Sequence, residues 1–303
     1  MGGVKILITG GLGFIGNNIV KLLYKKNAEI TILDKIPYNT GIAKKGGIKF
    51  IVGDVLTYDM LKIKKGHFDY IFHFGAPCSN MQFIKNPELY PDTIKGMINI
   101  MELAKALDSR VIYPSSGTVY SGNYGREDSV LPLPSSLYAA GKISCEYVAN
   151  YYEKIYGIKS TGLRIFAGYG DGEEKKGALG SAISLFLIPM LKGLSPEVWG
   201  NGKQIRDFVY IKDVMNLLEH IMKDENAPRV LNVGSGKSFS FNEIIHIINK
   251  HTEKDIVPIY KHKPTGYLDT TLADISLAKN LYNFKPTTIE SGIKQYIEYL
   301  NNV

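Results

Sequence analysis

The amino-acid sequence predicts an α/β fold: a Rossmann-like doubly wound parallel sheet with a smaller C-terminal domain. In the first half, short apolar runs typical of buried strands alternate with longer segments of helical periodicity. Strands that alternate with helices favour parallel pairing through right-handed crossovers. Beyond Phe166 the alternation stops and glycine and charged residues become frequent, which indicates a second, smaller domain.

The elements of the first half follow from these patterns in order along the chain. The predicted strands are Lys5–Thr9, Glu29–Asp34, Lys49–Asp54, Tyr70–Phe74, Arg110–Ser115 and Thr161–Phe166. The predicted helices are Phe14–Tyr24, Thr93–Leu107 and Tyr138–Tyr156. Ligands of such sheets bind at the carboxyl ends of the strands, so the candidate site is expected there.

The predicted domain boundaries follow the change of pattern. Residues 1–166, with a return of the chain at about 207–231, are expected to form the dinucleotide-binding domain. Residues of about 167–206 and 232–303 are expected to form the substrate-binding domain.

Composition limits the partners and the compartment. The chain has 303 residues, of which 45% are hydrophobic, and 36 Lys+Arg against 29 Asp+Glu give a net charge of +7. No basic run of nucleic-acid type and no apolar run of about 20 residues occurs, so neither a nucleic acid nor a membrane is expected as partner. The two cysteines, Cys78 and Cys145, form no disulfide framework and fit the cytoplasm. The mild positive charge suits an anionic substrate.

A glycine-rich turn joins the first strand to the first helix. Gly10 and Gly11 allow a tight turn, Gly13 allows close approach of a pyrophosphate, and Gly16 allows the helix to pack on the strand. The N–H groups of the helix N-terminus would face the phosphates. Such glycine patterns also recur by chance in ordinary turns, and the acid after the second strand decides between the two interpretations.

That acid is Asp34, which follows the glycines at close to the spacing of about 20 residues expected of a ribose-binding carboxylate. A carboxylate there accepts hydrogen bonds from a 2′-hydroxyl and repels a 2′-phosphate, so NAD is predicted rather than NADP. Lys35 beside it weakens that preference slightly. Asp54, at the end of the predicted third strand, is a candidate for the adenine edge, with a helix cap as its alternative role.

Tyr138 and Lys142 form the candidate catalytic pair. Their i, i+4 spacing places them on one helix face, where the ammonium favours the phenolate and makes it a general base near neutral pH. Ser116, at the end of the fifth strand, is a candidate to hydrogen-bond the reacting oxygen. Taken alone, a pair with this spacing is more typical of an ordinary helix surface, and a serine such as Ser116 is more typical of a turn or a helix cap.

Together, these ordered motifs resemble the extended short-chain dehydrogenase/reductase family, in particular its NAD-dependent nucleotide-sugar epimerases and dehydratases. The resemblance covers nearly the whole chain. The motifs that carry it are the glycine turn at residues 10–16, Asp34, and the segments at residues 53–55, 73–76, 115–120, 138–142, 163–166, 200–214, 232–236 and 273–274.

The resemblance implies roles for individual residues. It implies that Tyr138 is the base, that Lys142 binds the nicotinamide ribose, and that Ser116 orients the substrate hydroxyl. The implied cofactor-binding set is Gly10, Gly13, Phe14, Ile15, Gly16, Asp34, Lys35, Asp54, Val55, Phe74, Gly75, Ala76, Ser115, Tyr138 and Lys142. The implied substrate-binding set is Ser116, Gly117, Thr118, Ala167 and Arg206, the last toward a substrate phosphate. No metal is implied, and a homodimer through two helices per subunit, 93–107 and 138–156, is implied.

Departures from the family pattern guide the choice of reaction. Family 4,6-dehydratases usually carry acidic residues just after the catalytic Ser or Thr, where this chain has Gly117-Thr118, as many 4-epimerases do. We therefore predict an NAD-dependent nucleotide-sugar 4-epimerase, of the UDP-glucose/UDP-galactose type. The alternatives are a dehydratase, a decarboxylase, a dehydrogenase/reductase of the same fold, or a non-catalytic NAD-binding regulator.

A second departure concerns the phosphate-binding arginine. Many relatives have Arg-Pro-Gly followed by an acid where this chain has residues 264–267, Pro-Thr-Gly-Tyr. Lys261 and Lys263 are the candidates to replace the missing arginine.

Overall fold

The structure is a computed structural model that describes residues 3–37, 47–57, 63, 66–264 and 267–303. It divides into two compact units. The first comprises Met1–Ser115, Ser136–Leu163 and Asn226–Val230, and the second comprises Ser116–Ser135, Arg164–Glu225 and Leu231–Val303.

The strands and helices of the described residues are as follows. The strands are β1 (Lys5–Thr9), β2 (Glu29–Asp34), β3 (Ile48–Val52), β4 (Tyr70–His73), β5 (Arg110–Ser116), β6 (Tyr124–Gly125), β7 (Ser160–Ile165), β8 (Ala167–Tyr169), β9 (Glu197–Trp199), β10 (Ile205–Tyr210), β11 (Val230–Val233), β12 (Ser238–Ser240), β13 (Ile259–Lys261) and β14 (Leu272–Ala273). The helices are α1 (Phe14–Lys25), α2 (Asn80–Lys85), α3 (Leu89–Leu107), α4 (Leu137–Tyr156), α5 (Ala182–Leu191), α6 (Ile211–Lys223), α7 (Phe241–Thr252), α8 (Ser276–Tyr282) and α9 (Ile289–Leu300).

A seven-stranded sheet in the order β11-β7-β5-β4-β1-β2-β3 is the centre of the fold. β1 pairs in parallel with both β2 and β4, and the β2–β3 and β4–β5 pairs are also parallel. After β3 the chain returns to the other side of β1, so the strand order reverses between β1 and β4. Ligands of open parallel sheets bind at such a reversal, at the carboxyl ends of the strands. The predicted α/β fold class is confirmed.

The core of the first unit lies between the sheet and the helices α3 and α4. Its strands are apolar because side chains on both faces of a parallel sheet are covered by helices. The buried cluster joins the sheet to the two helices through Leu7, Ile71, Val111, Met97, Ile100, Ala104, Cys145, Ala149 and Tyr152.

Two predicted element boundaries differ from the structure by more than one residue. β3 ends at Val52, and Asp54 lies in the following turn, where its Oδ1 accepts a hydrogen bond from the Leu56 N–H at 3.0 Å. α3 begins at Leu89 rather than at Thr93. Pro91 falls in the first turn of α3, where a missing N–H costs no helical hydrogen bond, so proline does not stop the helix there.

In the second unit, a buried carboxylate lies on strand β10, which lies between β8 and β12 in a three-stranded sheet. Asp207 is fully buried, and its oxygens accept hydrogen bonds from the N–H groups of Ser235, Gly236 and Ala273 at 2.6, 3.0 and 3.1 Å. One side chain thus holds the loop between β11 and β12, and strand β14, against β10. A search of the described residues finds no helix with the length and apolarity that crossing a membrane requires.

Candidate active site

The glycine turn after β1 is tight because two of its glycines touch other backbone. Gly10 has φ +68°, and a Cβ there would lie 2.6 Å from the backbone of Gly75. A Cβ on Gly16 would lie 2.1 Å from the carbonyl oxygen of Gly10. Only glycine therefore fits at either position, and the first turn of α1 lies directly against the glycine turn.

The third glycine leaves the start of α1 open. Gly13 is the N-cap of α1 and makes no side-chain cap, and the first turn carries no acidic residue. A Cβ on Gly13 would meet only the Gly10 carbonyl oxygen, at 3.3 Å. The first N–H groups of a helix lack intrahelical partners and attract anions. The turn therefore has the shape and polarity to hold the diphosphate of a dinucleotide.

Asp34, at the end of β2, faces this turn. Its Oδ2 accepts a hydrogen bond from the Leu12 N–H at 3.0 Å, which holds the carboxylate beside the glycines. Lys35 does not pair with Asp34 but with Asp54, through an Nζ–Oδ2 distance of 2.7 Å. The positive charge expected to weaken the preference for NAD is thus directed to a different acid.

The carboxyl end of β4 carries a buried polar cluster. The Oγ1 of Thr9 lies 2.9 Å from Nδ1 of His73 and accepts a hydrogen bond from the Gly75 N–H at 3.1 Å. Burial, and after it the charge of Lys142, lower the pKa of His73 from 6.5 to about 3. The imidazole is therefore neutral, and the cluster fixes the β4 end against the glycine turn.

The candidate catalytic pair lies in the first two turns of α4. The side chain of Ser136 caps this helix by accepting a hydrogen bond from the Ala139 N–H at 3.1 Å. Lys142 is buried, and its Nζ donates to the carbonyl oxygen of Pro114 at 3.0 Å and lies 5.6 Å from the ring centroid of Tyr138. The Tyr138 ring also packs edge-on against Phe83, with centroids 5.5 Å apart. The two side chains share a helix face, as the spacing predicts.

Burial affects the charge of this lysine. It lowers the pKa of the Lys142 ammonium from its ordinary value of 10.5, because the charged form loses its hydration. The hydrogen bond to the Pro114 carbonyl oxygen gives the buried ammonium a polar partner.

Two serines end β5, and their side chains have different partners. The Oγ of Ser115 donates to Oε1 of Glu146 on α4 at 2.5 Å. The Oγ of Ser116 instead accepts two hydrogen bonds from Thr118, from its N–H at 3.2 Å and its Oγ1 at 3.0 Å. With two hydrogen bonds already accepted, Ser116 can still donate its own proton to a substrate oxygen.

The next residue is Gly117, and a larger side chain does not fit at this position. A Cβ there would lie 2.7 Å from the ring of Phe166. Gly117 opens a short 3-10 helix, Gly117–Tyr120, for which Ser116 is the N-cap. The absence of an acidic side chain at this position, noted in the sequence, therefore has a packing reason.

Arg206, on β10, is held between two rings. Its guanidinium carbon lies 5.5 Å from the ring centroid of Phe241 and 5.1 Å from that of Tyr267, and its side chain donates to the carbonyl oxygens of Ile205 and Leu268. Burial lowers the pKa of the Arg206 guanidinium from its ordinary value of 12.5.

The lysines considered as replacements for the missing arginine are both in ion pairs. The Nζ of Lys261 lies 3.3 Å from Oε1 of Glu197, and that of Lys263 lies 2.6 Å from Oδ1 of Asp269. Thr265 and Gly266, between Lys263 and Tyr267, lie outside the described residues.

The other predicted site residues lie near the ends of the same elements. Phe14 and Val55 are buried, and Ile15, Phe74, Ala76 and Ala167 are half-buried. Four residues outside the predicted set contact predicted site residues: Thr9, Phe83, Glu146 and Tyr267. The only signal for Thr9 was a polar residue that ends an otherwise apolar strand; the others depend on contacts distant in sequence.

Comparison with known proteins assigns this architecture. Residues 6–234 match the model of the NAD dependent epimerase/dehydratase family. A Methanocaldococcus jannaschii protein with a provisional UDP-glucose 4-epimerase name is 33% identical over 306 residues, covering 98% of each chain.

Solved structures of 4-epimerases are similar to this chain over its whole length. The UDP-N-acetylglucosamine 4-epimerase of Methanobrevibacter ruminantium M1 superposes with a TM-score of 0.91 at 29% identity and covers 100% of this chain and 99% of its own. The UDP-glucuronic acid 4-epimerase of Bacillus cereus, in complex with UDP-glucuronic acid and NAD, gives a TM-score of 0.87 at 26% identity over 99% of each chain.

This chain therefore belongs to the NAD dependent epimerase/dehydratase family. The predicted family, the NAD cofactor and the enzyme class are confirmed.

The position of Asp34 predicts the selectivity between the two dinucleotides. We expect NAD(H) to bind at least about tenfold more tightly than NADP(H), a difference of about 1.4 kcal/mol, because the carboxylate repels a 2′-phosphate. Calorimetric titration of cofactor-stripped protein with each dinucleotide measures the ratio. Equal affinities would contradict the role given to Asp34.

Proposed function

We propose that this protein is a UDP-sugar 4-epimerase that works by transient oxidation at C4, with UDP-glucose and UDP-galactose as the first candidates. The observation that carries the proposal is the Tyr138–Lys142 pair on one face of α4, with the lysine buried and anchored to Pro114. The 4-epimerase names of the similar proteins from three organisms support the reaction and the UDP moiety.

Each catalytic side chain has a defined task in this proposal. Tyr138, as phenolate, takes the proton of the C4 hydroxyl, and Lys142 keeps a positive charge beside the phenolate. Ser116 donates a hydrogen bond to the same oxygen, which becomes the ketone oxygen. NAD, which the glycine turn and Asp34 would hold, would supply the reversible hydride chemistry at C4. The proton then returns from Tyr138, so sugar and cofactor end with the oxidation states they began with.

The remaining predicted residues divide between cofactor and substrate. We propose that residues 1–166 with about 207–231 form the NAD-binding domain, and that about 167–206 and 232–303 form the domain that binds the nucleotide sugar. Arg206 is the proposed partner of the substrate diphosphate, because its guanidinium stays cationic at all physiological pH values. Gly117, Thr118 and Ala167 are proposed to contact the sugar.

The reaction can be separated from its alternatives in one experiment. The protein is incubated in D₂O with UDP-glucose, UDP-galactose, UDP-N-acetylglucosamine or UDP-glucuronate, each in a separate sample followed by NMR. We expect at least one of these sugars to be converted to its C4 epimer. No deuterium should enter C5, and added NAD should not be consumed, because one turnover takes and returns the same hydride.

Each alternative gives its own signal. Deuterium at C5 with loss of the C6 hydroxyl would identify a 4,6-dehydratase. Steady consumption of added NAD would identify a dehydrogenase, and bound NAD without turnover of any sugar would identify a non-catalytic protein.

We also propose that the chain forms a homodimer through α3 and α4. Three side chains at i, i+4 spacing on α4 are exposed: Tyr147 (67%), Tyr151 (52%) and Ile155 (59%). Ile98 on α3 is also exposed, at 39%. An apolar stripe on a helix pair is typical of an interface between subunits.

The stripe predicts a measurable mass. We expect light scattering to give twice the chain mass of 33.7 kDa, because burying the stripe removes apolar area from water. The double variant Tyr147→Lys/Tyr151→Lys should give the monomer mass, because two charges would be buried. A monomeric wild type would contradict the proposed dimer.

We propose a cytoplasmic location for the enzyme. Both cysteines are free thiols, Cys78 exposed and Cys145 buried, and a nucleotide-sugar enzyme with an exposed thiol suits a reducing compartment.

A further inference from the structure

A buried hydroxyl closes the 3-10 helix that follows Ser116. Tyr120, the last residue of this helix, is 2% exposed. Its hydroxyl donates to Oδ1 of Asn232 at 2.8 Å and accepts from Nη1 of Arg164 at 2.6 Å. Both partners are buried as well, at 0% and 3% exposure. A buried arginine and a buried amide therefore meet at this one phenol.

The orientation of Asn232 is fixed from its other side. Its Nδ2 donates to the carbonyl oxygens of Gly125 at 2.9 Å and Asp274 at 3.0 Å, and its N–H donates to Oε1 of Glu127 at 2.7 Å. Only its Oδ1 is left to receive the Tyr120 proton. The hydroxyl thus has one geometry in which all its partners are satisfied, and burial makes any departure costly.

The start of the same helix is held by the same group of residues. The ring of Phe166 stacks on the ring of Tyr120, with centroids 6.2 Å apart. The same ring lies against Gly117, where a Cβ would come within 2.7 Å of it. The guanidinium carbon of Arg164 lies 5.0 Å from the Tyr120 ring centroid. Both ends of the Gly117–Tyr120 helix are therefore fixed by one packed unit.

From this geometry we infer that Tyr120, held by Arg164 and Asn232 and stacked on Phe166, is the positioning residue for the hydroxyls of Ser116 and Thr118. Ser116 is the N-cap of the helix that Tyr120 closes, and Thr118 donates two hydrogen bonds to Ser116. A shift of the helix would move both hydroxyls together. The inference rests on the proposed function, in which Ser116 contacts the reacting oxygen.

The test removes one oxygen atom. Tyr120→Phe keeps the ring and its stacking but leaves the Arg164 donor and the Asn232 acceptor without their shared partner. We expect kcat to fall about tenfold or more, with the KM for the UDP-sugar changed less than about threefold, since misplaced reacting groups lose rate rather than binding. Hydrogen–deuterium exchange of a peptide covering residues 116–120 should become faster, because the Thr118 amide loses its fixed acceptor.

A matched control separates positioning from stability. Tyr296→Phe removes another buried hydroxyl of the second unit, one that lies 3.0 Å from the Oγ of Ser184 on α5. It should lower the melting temperature without changing kcat or the exchange of 116–120. Phe166→Leu, which withdraws the stacked ring from Gly117, should act in the same direction as Tyr120→Phe.

The outcomes are distinct. The positioning role would be overturned if Tyr120→Phe and Phe166→Leu kept a kcat within about twofold of wild type. It would also be overturned if hydrogen–deuterium exchange of residues 116–120 were unchanged in both variants. A wild type that epimerises no UDP-sugar would overturn the proposed function instead, and this is seen before any variant is compared.

Discussion

Tyr138→Phe is expected to lower the kcat of epimerisation by about 10²–10⁴-fold, because the phenol is the proposed general base for the C4 hydroxyl. NAD binding should remain nearly unchanged, since the ring and its edge-on contact with Phe83, at 5.5 Å between centroids, are kept. Steady-state kinetics on the sugar identified by NMR, together with calorimetric titration of NAD, measures both quantities.

A second tyrosine of the same helix serves as the control. Tyr152→Phe removes a hydroxyl that donates to Oε1 of Glu102 at 2.6 Å, on the side of α4 that packs on α3. It should cost stability, in the range of about 0.5–1.5 kcal/mol for one hydrogen bond, and leave kcat unchanged. Full activity of Tyr138→Phe would exclude the phenol as the base, and the mechanism would have to be assigned to another group.

Lys142→Met is expected to damage both cofactor binding and catalysis. The methionine fills the buried volume of the lysine stem but removes the charge beside Tyr138 and the donor to the Pro114 carbonyl, which Lys142 Nζ contacts at 3.0 Å. We expect kcat to fall by about 10²-fold or more. We also expect the affinity for NAD to fall about tenfold, or about 1.4 kcal/mol.

The matched control is a lysine that also lies over a tyrosine ring but outside the proposed site. The Nζ of Lys212 lies 5.4 Å from the ring centroid of Tyr210 and is mostly exposed. Lys212→Met should leave kcat and NAD affinity as in wild type, because an exposed pair of this kind contributes little. If Lys142→Met changed kcat but not NAD affinity, the lysine would serve the phenol alone.

The sequence alone determined the parts of this protein that depend on local pattern. Strand β1, strand β2 and the bulk of helix α4 follow from apolar periodicity, which is read within a few residues. The glycine turn and Asp34 follow from spacing, because a turn of given conformation admits only glycine at certain positions. The Tyr138–Lys142 pair follows from the helical repeat, which places i and i+4 on one face.

Only the tertiary structure decided which groups are buried and what they meet. His73 reads as one polar residue in an apolar strand, and its pKa of about 3 results from burial and the nearby Lys142 charge. Lys35 is next to Asp34 in the sequence, yet in the structure it forms an ion pair with Asp54. The partners of the Tyr120 hydroxyl, Arg164 and Asn232, are brought together by strand order rather than by spacing along the chain. Contacts between residues distant in sequence leave no local period, and burial sets their energies, so they become visible only once the chain is folded.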